Sequence, residues 1–182
     1  MNVTWNSLST LETAAVICSH LAQNGIDATL VGGTCVSIYS DNKYISGDMD
    51  FVTDSPLREI KKALSDIGFV STKGRLFEHP DCPFFLDFPA PPLAIGNEPV
   101  TRTCLMQSGR YELKLLTPED CVKDRLAAFY YWNDYEALDQ AILVAEEKNV
   151  SISEISEWSK KEPNGNKFSV FLSKISPSVE GK

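Results

Sequence analysis

Apolar residues recur at helical spacing near the start of the chain and again a little further along. Ser9 and Glu12 form a capping-box pattern, and the apolar positions that follow recur every three or four residues until Gly25. This pattern predicts a helix over about residues 10 to 24, because a capping box starts a helix and glycine ends one. A second amphipathic stretch covers residues 56 to 67 and has a proline at its first position.

Two short segments beside these helices have the character of β-strands. Residues 28 to 31 are β-prone, end at Gly32 and Gly33, and precede a stretch from 34 to 39 that is suited to a helix. Residues 48 to 52 alternate acidic and apolar side chains at their start, which predicts a strand with both acids on one face.

Residues 69 to 116 contain further strand-like runs. They include a hairpin through Gly74, the run from 84 to 88 and the run from 111 to 116. The proline-rich segment from 89 to 92 separates the last two runs. Because proline has no amide hydrogen to donate, this segment is predicted as an extended loop or a sheet edge.

The last third of the chain has a helical pattern. Thr117 and Pro118 supply an N-cap and a first-turn proline for one helix. Further helices are predicted over about 134 to 147, from the Ser151 capping box onward, and after the turn at 163 to 165. The element order predicts an α+β protein with a mixed β-sheet covered by helices. We place the α/β core, a helical C-terminal portion and a tail at residues 1–116, 117–176 and 177–182.

The composition fits one domain of ordinary size. The 182 residues are 43% hydrophobic, which is enough to build a core. No run of about eighteen apolar residues occurs, and the N-terminus lacks the basic flank and apolar run of a signal peptide. We therefore expect a cytoplasmic protein with no membrane partner.

Charge and cysteine content narrow the possible functions. The formal net charge of −8 disfavours an extended basic face for nucleic acid. The five cysteines are odd in number, widely spaced and without a Cys-x-x-Cys pair, and the chain has only two histidines. This pattern fits neither a disulfide framework nor a zinc site, so we expect reduced, mostly structural thiols.

The strongest candidate for chemistry is a glycine turn followed by two acids. Gly32 and Gly33 let the backbone turn tightly at a helix start and present amide groups to an anion, and Thr34 adds a hydroxyl. Asp48 and Asp50, two residues apart in a strand, are close enough to bind one divalent cation or to bridge two. Each motif also occurs by chance, so the combination and its order carry the prediction.

Gly32-Gly33-Thr34 together with Asp48-Met49-Asp50 resembles the signature of the polymerase-beta-type nucleotidyltransferase superfamily. The resemblance implies a triphosphate at the helix start, Mg²⁺ or Mn²⁺ on the acidic strand, and a third carboxylate on a later strand. Asp87, the only acid between residues 84 and 88, meets that expectation. Alternatively, Asp87 caps the turn that follows it or pairs with a nearby Lys or Arg. The catalytic and metal-binding residues that the resemblance implies are Asp48, Asp50 and Asp87.

The segment LTPEDCVKDRLAA at positions 116 to 128 is similar to the helix after the core in the AbiEii-type branch and in bacterial nucleotidyltransferase-like proteins of this size. The resemblance implies a helix lysine that reaches the triphosphate, which by position is Lys123. Alternatively, Lys123 forms exposed ion pairs with its helix neighbours. One departure is Gly47, where the commonest form has a serine whose hydroxyl helps to orient phosphate or metal. The implied nucleotide-binding residues are Gly32, Gly33, Thr34 and Lys123.

These resemblances imply a metal-dependent nucleotidyltransferase that moves a nucleotidyl group from an NTP, such as ATP, to a protein, RNA or small-molecule hydroxyl. Two alternatives stay open. One is an inactive nucleotide-binding or toxin–antitoxin regulatory protein of the same fold, and the other is an interaction module whose acids are surface features. Lys73, Arg75 and His79 either steer phosphate or are simply solvated. The aromatic residues at 130 to 132 either stack on a base or pack between helices.

Overall fold

The computed structural model describes residues 3 to 175 as a mixed β-sheet with helices packed against it, so the expected tail at 177–182 lies outside the described residues. Helices α1 to α7 span Thr10–Gln23, Gly32–Tyr39, Leu57–Ser65, Pro118–Trp132, Tyr135–Glu147, Ile152–Ser159 and Phe168–Lys174. Strands β1 to β9 span Thr29–Val31, Asp48–Val52, Val70–Ser71, Leu76–Glu78, Phe85–Asp87, Ala94–Ile95, Glu98–Pro99, Cys104–Ser108 and Tyr111–Leu115. Short 3-10 turns lie at Trp5–Ser7 and Gly165–Lys167.

Seven of the strands form one sheet in the order β3-β4-β5-β2-β1-β9-β8, and β6 pairs with β7 in a separate hairpin. Strand β2 lies parallel to β5 and antiparallel to β1, whereas β1 lies parallel to β9. The sheet is mixed, and the predicted α+β class is confirmed. Because β2 lies between β1 and β5, its middle residue, Asp50, pairs with the last residue of each neighbour, Val31 of β1 and Asp87 of β5.

Local sequence signals start α1 and α4 as predicted. The Ser9 hydroxyl accepts a hydrogen bond from the Glu12 amide at 3.3 Å, and the Glu12 carboxylate accepts one from the Ser9 amide at 2.8 Å. At α4, the Thr117 side chain accepts from the Asp120 amide at 3.1 Å, and Asn133 ends the helix in the left-handed conformation. These contacts satisfy backbone groups that helix ends leave without an intrahelical partner.

The core lies between the sheet and the helices, and it fixes α2 and α4 beside the centre of the sheet. Met49 and Phe51 of β2 are fully buried. Tyr39, the last residue of α2, donates to the carbonyl oxygen of Leu116 at 2.5 Å. This bond ties the helix that follows the glycine turn to the segment that leads into α4.

Three further findings bear on the sequence expectations. All five cysteines are free, three of them buried and two partly buried. Among residues 3 to 175, none of the helices combines the length and the apolar character that crossing a membrane requires. The β6–β7 hairpin and strand β8 were not individually predicted, because two-residue strands and a half-exposed strand give too weak an alternation of apolar and polar positions.

Candidate active site

The turn between β1 and α2 has a backbone shape that requires glycine at its first position. Gly32 has a φ of +72°, in the left-handed region that glycine adopts without a steric penalty. A Cβ atom there would also overlap Oδ2 of Asp50. Val31, at the N-cap position, forms no side-chain cap, so it does not compete for the first-turn amides of α2. Such amides are the groups at a helix start that bind an anion.

Two strands bring the three predicted carboxylates to this turn. Asp48 and Asp50 are two residues apart in β2 and therefore lie on the same face. Asp50 pairs in register with Val31 of β1 on one side and with Asp87 of β5 on the other. The structure thus brings Asp48, Asp50 and Asp87 together beside the glycine turn.

The pKa of Asp50 is shifted from its ordinary value. Burial, with the negative charges of Asp48 and Asp87, raises the pKa of Asp50 from 3.8 to about 7, and the guanidinium of Arg125 opposes the shift. A carboxyl group whose pKa is raised by two neighbouring carboxylates is close enough to them to gain from a shared cation. Oδ1 of Asp87 also accepts a hydrogen bond from the amide of Phe88 at 2.8 Å, so the turn-capping role is present as well.

The donor set suits a hard divalent cation. Carboxylate oxygens are ligands that Mg²⁺ and Mn²⁺ prefer, and the three acids add no sulfur or nitrogen. Within the described part of the chain, no group of three or more acidic, histidine or cysteine side chains could hold a metal ion as arranged. Asp48, Asp50 and Asp87 therefore fit a partial ligand set, which phosphate oxygens and water would complete.

Two hydroxyl groups hold Asp48 in place. The Ser46 hydroxyl donates to Oδ1 of Asp48 at 2.8 Å, and the Thr34 hydroxyl donates to the backbone oxygen of Asp48. Thr34 is fully buried, so its hydroxyl positions the acidic strand. Ser46 supplies a hydroxyl one residue before Gly47, where the resemblance expected one. Sequence reasoning missed Ser46 because the loop from 40 to 47 has no periodic pattern.

A cavity of about 290 Å³ lies next to the glycine turn and extends to α4. Gly32, Asp50, Asp124 and Arg125 are among its walls. The Arg125 guanidinium donates to Oδ2 of Asp124 at 2.5 and 3.1 Å and to Oε1 of Gln140 at 3.4 Å. These contacts fix the guanidinium on the cavity wall, where it can meet an anionic ligand. Sequence reasoning gave Arg125 no role in this site.

Lys123, the expected triphosphate contact, lies on another side of α4. Its ammonium pairs with Asp120 at 2.9 Å and with Glu154 of α6 at 2.7 Å, and it lines a different cavity together with Arg102. Two residues correspond to about 200° of rotation around an α-helix, so Lys123 and Arg125 face different directions. This placement does not support a phosphate contact for Lys123. The alternative expectation of exposed ion pairs is also wrong for Lys123, because its pair with Asp120 is buried.

The remaining candidate side chains separate into packing and exposed groups. Arg75 donates to a backbone carbonyl oxygen just after β5 at 3.2 Å, and His79 packs among aromatic rings. Tyr130 is buried and stacks on Trp158. Trp132 is 76% exposed, so packing between helices accounts for Tyr130 but not for Trp132.

Comparison with solved structures identifies the class of fold. An antigenic nucleotidyltransferase-like protein from Paracoccidioides brasiliensis is similar over 95% of this chain and 97% of its own, with 15% identity and a TM-score of 0.57. Two structures of ANT(2″)-Ia are also similar, each with 11% identity. The crystal structure, in complex with adenylyl-2″-tobramycin, matches 87% of this chain and 94% of its own with a TM-score of 0.51. The solution structure, which describes an antibiotic-resistance factor, matches 86% and 90% with a TM-score of 0.50.

The chain therefore has the fold of nucleotidyltransferase-like proteins. Comparisons with profiles of known protein families and with curated protein sequences give no match.

Proposed function

We propose that this protein transfers a nucleotidyl group from an NTP to a hydroxyl of a protein, an RNA or a small molecule. The observation that carries the proposal is the meeting of Asp48, Asp50 and Asp87 with the Gly32 turn at one edge of the sheet. Acids for a divalent cation beside amide donors for phosphate are the groups that position a triphosphate. The likeness in fold to ANT(2″)-Ia, whose crystal structure contains adenylyl-2″-tobramycin, supports the same class of reaction.

Each part of the site has a role in this proposal. The first-turn amides of α2 bind the terminal phosphates, and Arg125 meets them from the α4 side of the cavity. Asp48, Asp50 and Asp87 hold Mg²⁺ or Mn²⁺. When bound, the cation neutralises phosphate charge and orients the α-phosphate. Asp87 accepts the proton of the acceptor hydroxyl as that oxygen attacks the α-phosphate in line, and pyrophosphate leaves.

One segment supports the assignments that go beyond nucleotidyl transfer. Residues 116 to 128 are the basis for a place in the AbiEii-type branch and for a bacterial toxin–antitoxin role. That segment does not indicate the acceptor. The acceptor class is therefore identified by experiment, from the molecule that receives the label.

The test is incubation with each of the four NTPs, labelled at the α-phosphate, in a cell lysate with Mg²⁺, followed by measurement of pyrophosphate and of the labelled species. We expect pyrophosphate release and label on one class of acceptor. The double variant Asp48→Asn/Asp50→Asn should lower the rate by about 100-fold or more, because it removes the charge that holds the cation. The matched control is Asp54→Asn, which changes an exposed acid just beyond β2.

Two outcomes would contradict the proposal. One is no pyrophosphate release with any NTP, and the other is release that is unchanged in the double variant. Nucleotide binding without release, measured by calorimetry, would identify the inactive nucleotide-binding alternative instead.

A further inference from the structure

Trp132 is an exposed aromatic side chain beside a cavity. It is the last residue of α4 and is 76% exposed, whereas the two other tryptophans, Trp5 and Trp158, are 2% and 3% exposed. A cavity of about 500 Å³ lies between the end of α4 and the β6–β7 hairpin, and Trp132 lines it together with Tyr131. An indole left in water next to a cavity of this size is available for a planar ligand.

This second cavity adjoins the cavity next to the glycine turn. The two share four wall residues, namely Ala94, Ile95, Asp124 and Arg125. Arg125 therefore lies at the junction, with Gly32 and Asp50 on one side and the exposed indole on the other. A ligand whose phosphates occupy the first cavity would extend past Arg125 into the second.

The spacing along α4 matches the length of a nucleoside. Arg125, Ala128 and Trp132 are related by three and then four residues, so they lie on one stripe of the helix. Trp132 follows Arg125 by seven positions, so the backbone positions of the two residues lie about 10 Å apart along the helix axis. This distance is comparable to the reach from the phosphates of a nucleotide to the far end of its base.

The chemistry of the second cavity also suits a base. The small side chains of Ala127 and Ala128 are among its walls. Asn97, in the turn of the β6–β7 hairpin, also lines the cavity, and it is held by Glu162, whose carboxylate accepts from the backbone amide of Asn97 at 2.9 Å and from its side-chain amide at 3.4 Å. An exposed aromatic ring beside small side chains and a polar residue is typical of a site for a nucleobase.

We propose that the cavity beside Trp132 binds the base of the NTP, with the indole as its stacking platform. The inference rests on the proposed function, because it assumes that the phosphates lie at the α2 turn. It assigns to the end of α4 the role of holding the nucleoside. The acceptor then approaches the α-phosphate from outside this cavity.

Tryptophan fluorescence tests the inference directly, because only Trp132 of the three tryptophans is exposed to a neutral quencher such as acrylamide. The ligands are Mg²⁺ complexes of α,β-methylene NTP analogues, with Mg²⁺-tripolyphosphate as the matched ligand that lacks a nucleoside. We expect the analogues to protect Trp132 from acrylamide and tripolyphosphate to leave the quenching unchanged. Both ligands should bind when measured by calorimetry.

Substitutions supply a second measurement. Trp132→Ala should weaken binding of the NTP analogue about 5- to 100-fold, the range that base–aromatic stacking supports, and leave tripolyphosphate binding unchanged. Trp132→Phe should restore most of the affinity. Ala128→Leu places a larger side chain on the partly exposed cavity wall and should act like Trp132→Ala. Tyr135→Ala, an exposed aromatic residue outside the cavity walls, is the control and should have no effect.

Three results would overturn the inference. If the analogue binds while Trp132 stays fully quenchable, the base lies elsewhere. If Trp132→Ala raises the KM of the acceptor but leaves the affinity for the analogue unchanged, the cavity belongs to the acceptor. If neither the analogue nor tripolyphosphate binds, the proposed function fails together with the inference.

Discussion

At the scale of single residues, the candidate site depends most on Asp50 and Gly32. Asp50 is partly buried beside two other carboxylates, and Gly32 approaches it so closely that no Cβ fits between them. In the protein without ligand the ionised form of Asp50 costs stability, because a partly buried carboxylate is held near like charges. A phosphate and a divalent cation would remove that cost when they bind.

The first prediction concerns the stability that the carboxylate of Asp50 costs. Its pKa is about 7 in the folded protein against 3.8 ordinarily, so the unfolded chain loses this proton at lower pH than the folded one. The free energy of unfolding should therefore fall as pH rises from about 4 to 7, and the loss should be complete above pH 7. At pH 8, Asp50→Asn should raise the free energy of unfolding by on the order of 2 to 4 kcal/mol.

Urea unfolding at pH 8 and at pH 4 in the presence of a chelator measures this effect. The gain from Asp50→Asn should shrink towards zero at pH 4, and the exposed control Asp54→Asn should show no such dependence. A destabilised Asp50→Asn protein at pH 8, or a gain that is equal at both pH values, would show that Asp50 is not held in an unfavourable charged state.

The second prediction concerns Gly32. Gly32→Ala should lower the free energy of unfolding by at least about 1 to 2 kcal/mol, because alanine is strained at positive φ, and should also displace the Asp50 carboxylate. The matched control is Gly25→Ala, whose φ of +76° gives similar strain but whose Cβ would have nothing within 4 Å. Urea unfolding and calorimetry with an NTP analogue compare the two. Only Gly32→Ala should lose nucleotide affinity, and equal losses would contradict a special role for the turn.

At the scale of secondary-structure elements, helix α4 presents different groups to different neighbours. Lys123 connects α4 to α6 through Glu154, and Arg125 lines the cavity next to β2. The helix therefore joins the C-terminal helices to the sheet and also supplies a wall of the candidate site.

The third prediction separates these two cations. Lys123→Met should lower the free energy of unfolding by about 2 to 4 kcal/mol, because it leaves the buried Asp120 carboxylate without its partner. It should leave the affinity for Mg²⁺-tripolyphosphate within about twofold, whereas Arg125→Met should weaken that affinity at least about tenfold, as expected for loss of one charged hydrogen bond. Urea unfolding and calorimetry measure both. A larger loss of affinity in Lys123→Met than in Arg125→Met would restore Lys123 as the phosphate contact.

The elements also show which parts of the structure the sequence could predict. Capping residues act on their own helices, so the starts of α1 and α4 were readable from Ser9 and Thr117. The glycine turn was readable because few other sequences allow a strand to turn directly into a helix. In contrast, Lys123 and Arg125 are both cations on one helix that is buried on several sides, and no local pattern tells which of them faces the sheet.

At the scale of the whole molecule, the candidate site is produced by pairing between distant strands. The sequence indicated that Asp87 belongs to a strand, but the parallel pairing of β5 with β2 depends on the whole sheet and is not a local property. The Ser46 contact with Asp48 and the small β6–β7 hairpin likewise arise from packing between elements. The fold class and the candidate acids could therefore be predicted from the sequence, whereas the relative positions of these acids come from the structure.

The net charge of the molecule fits this arrangement. With a formal charge of −8, the protein repels anions at long range, so a cation bound at the acids would favour entry of the triphosphate that we propose. We propose that Asp48 and Asp50 of β2 and Asp87 of β5 bind that cation. Binding of the metal together with the nucleotide should also stabilise the fold, because only the folded chain brings these strands together.

The central claim is that Asp48, Asp50 and Asp87 bind one or two divalent cations together with a nucleotide. Electron paramagnetic resonance of Mn²⁺, titrated into the protein with a non-hydrolysable NTP analogue, measures this binding directly. We expect protein-bound Mn²⁺ in the wild type and in Asp54→Asn. We expect this binding to be lost in each of the variants Asp48→Asn, Asp50→Asn and Asp87→Asn. Binding of Mn²⁺ that is the same in the wild type and in all three variants would contradict the account.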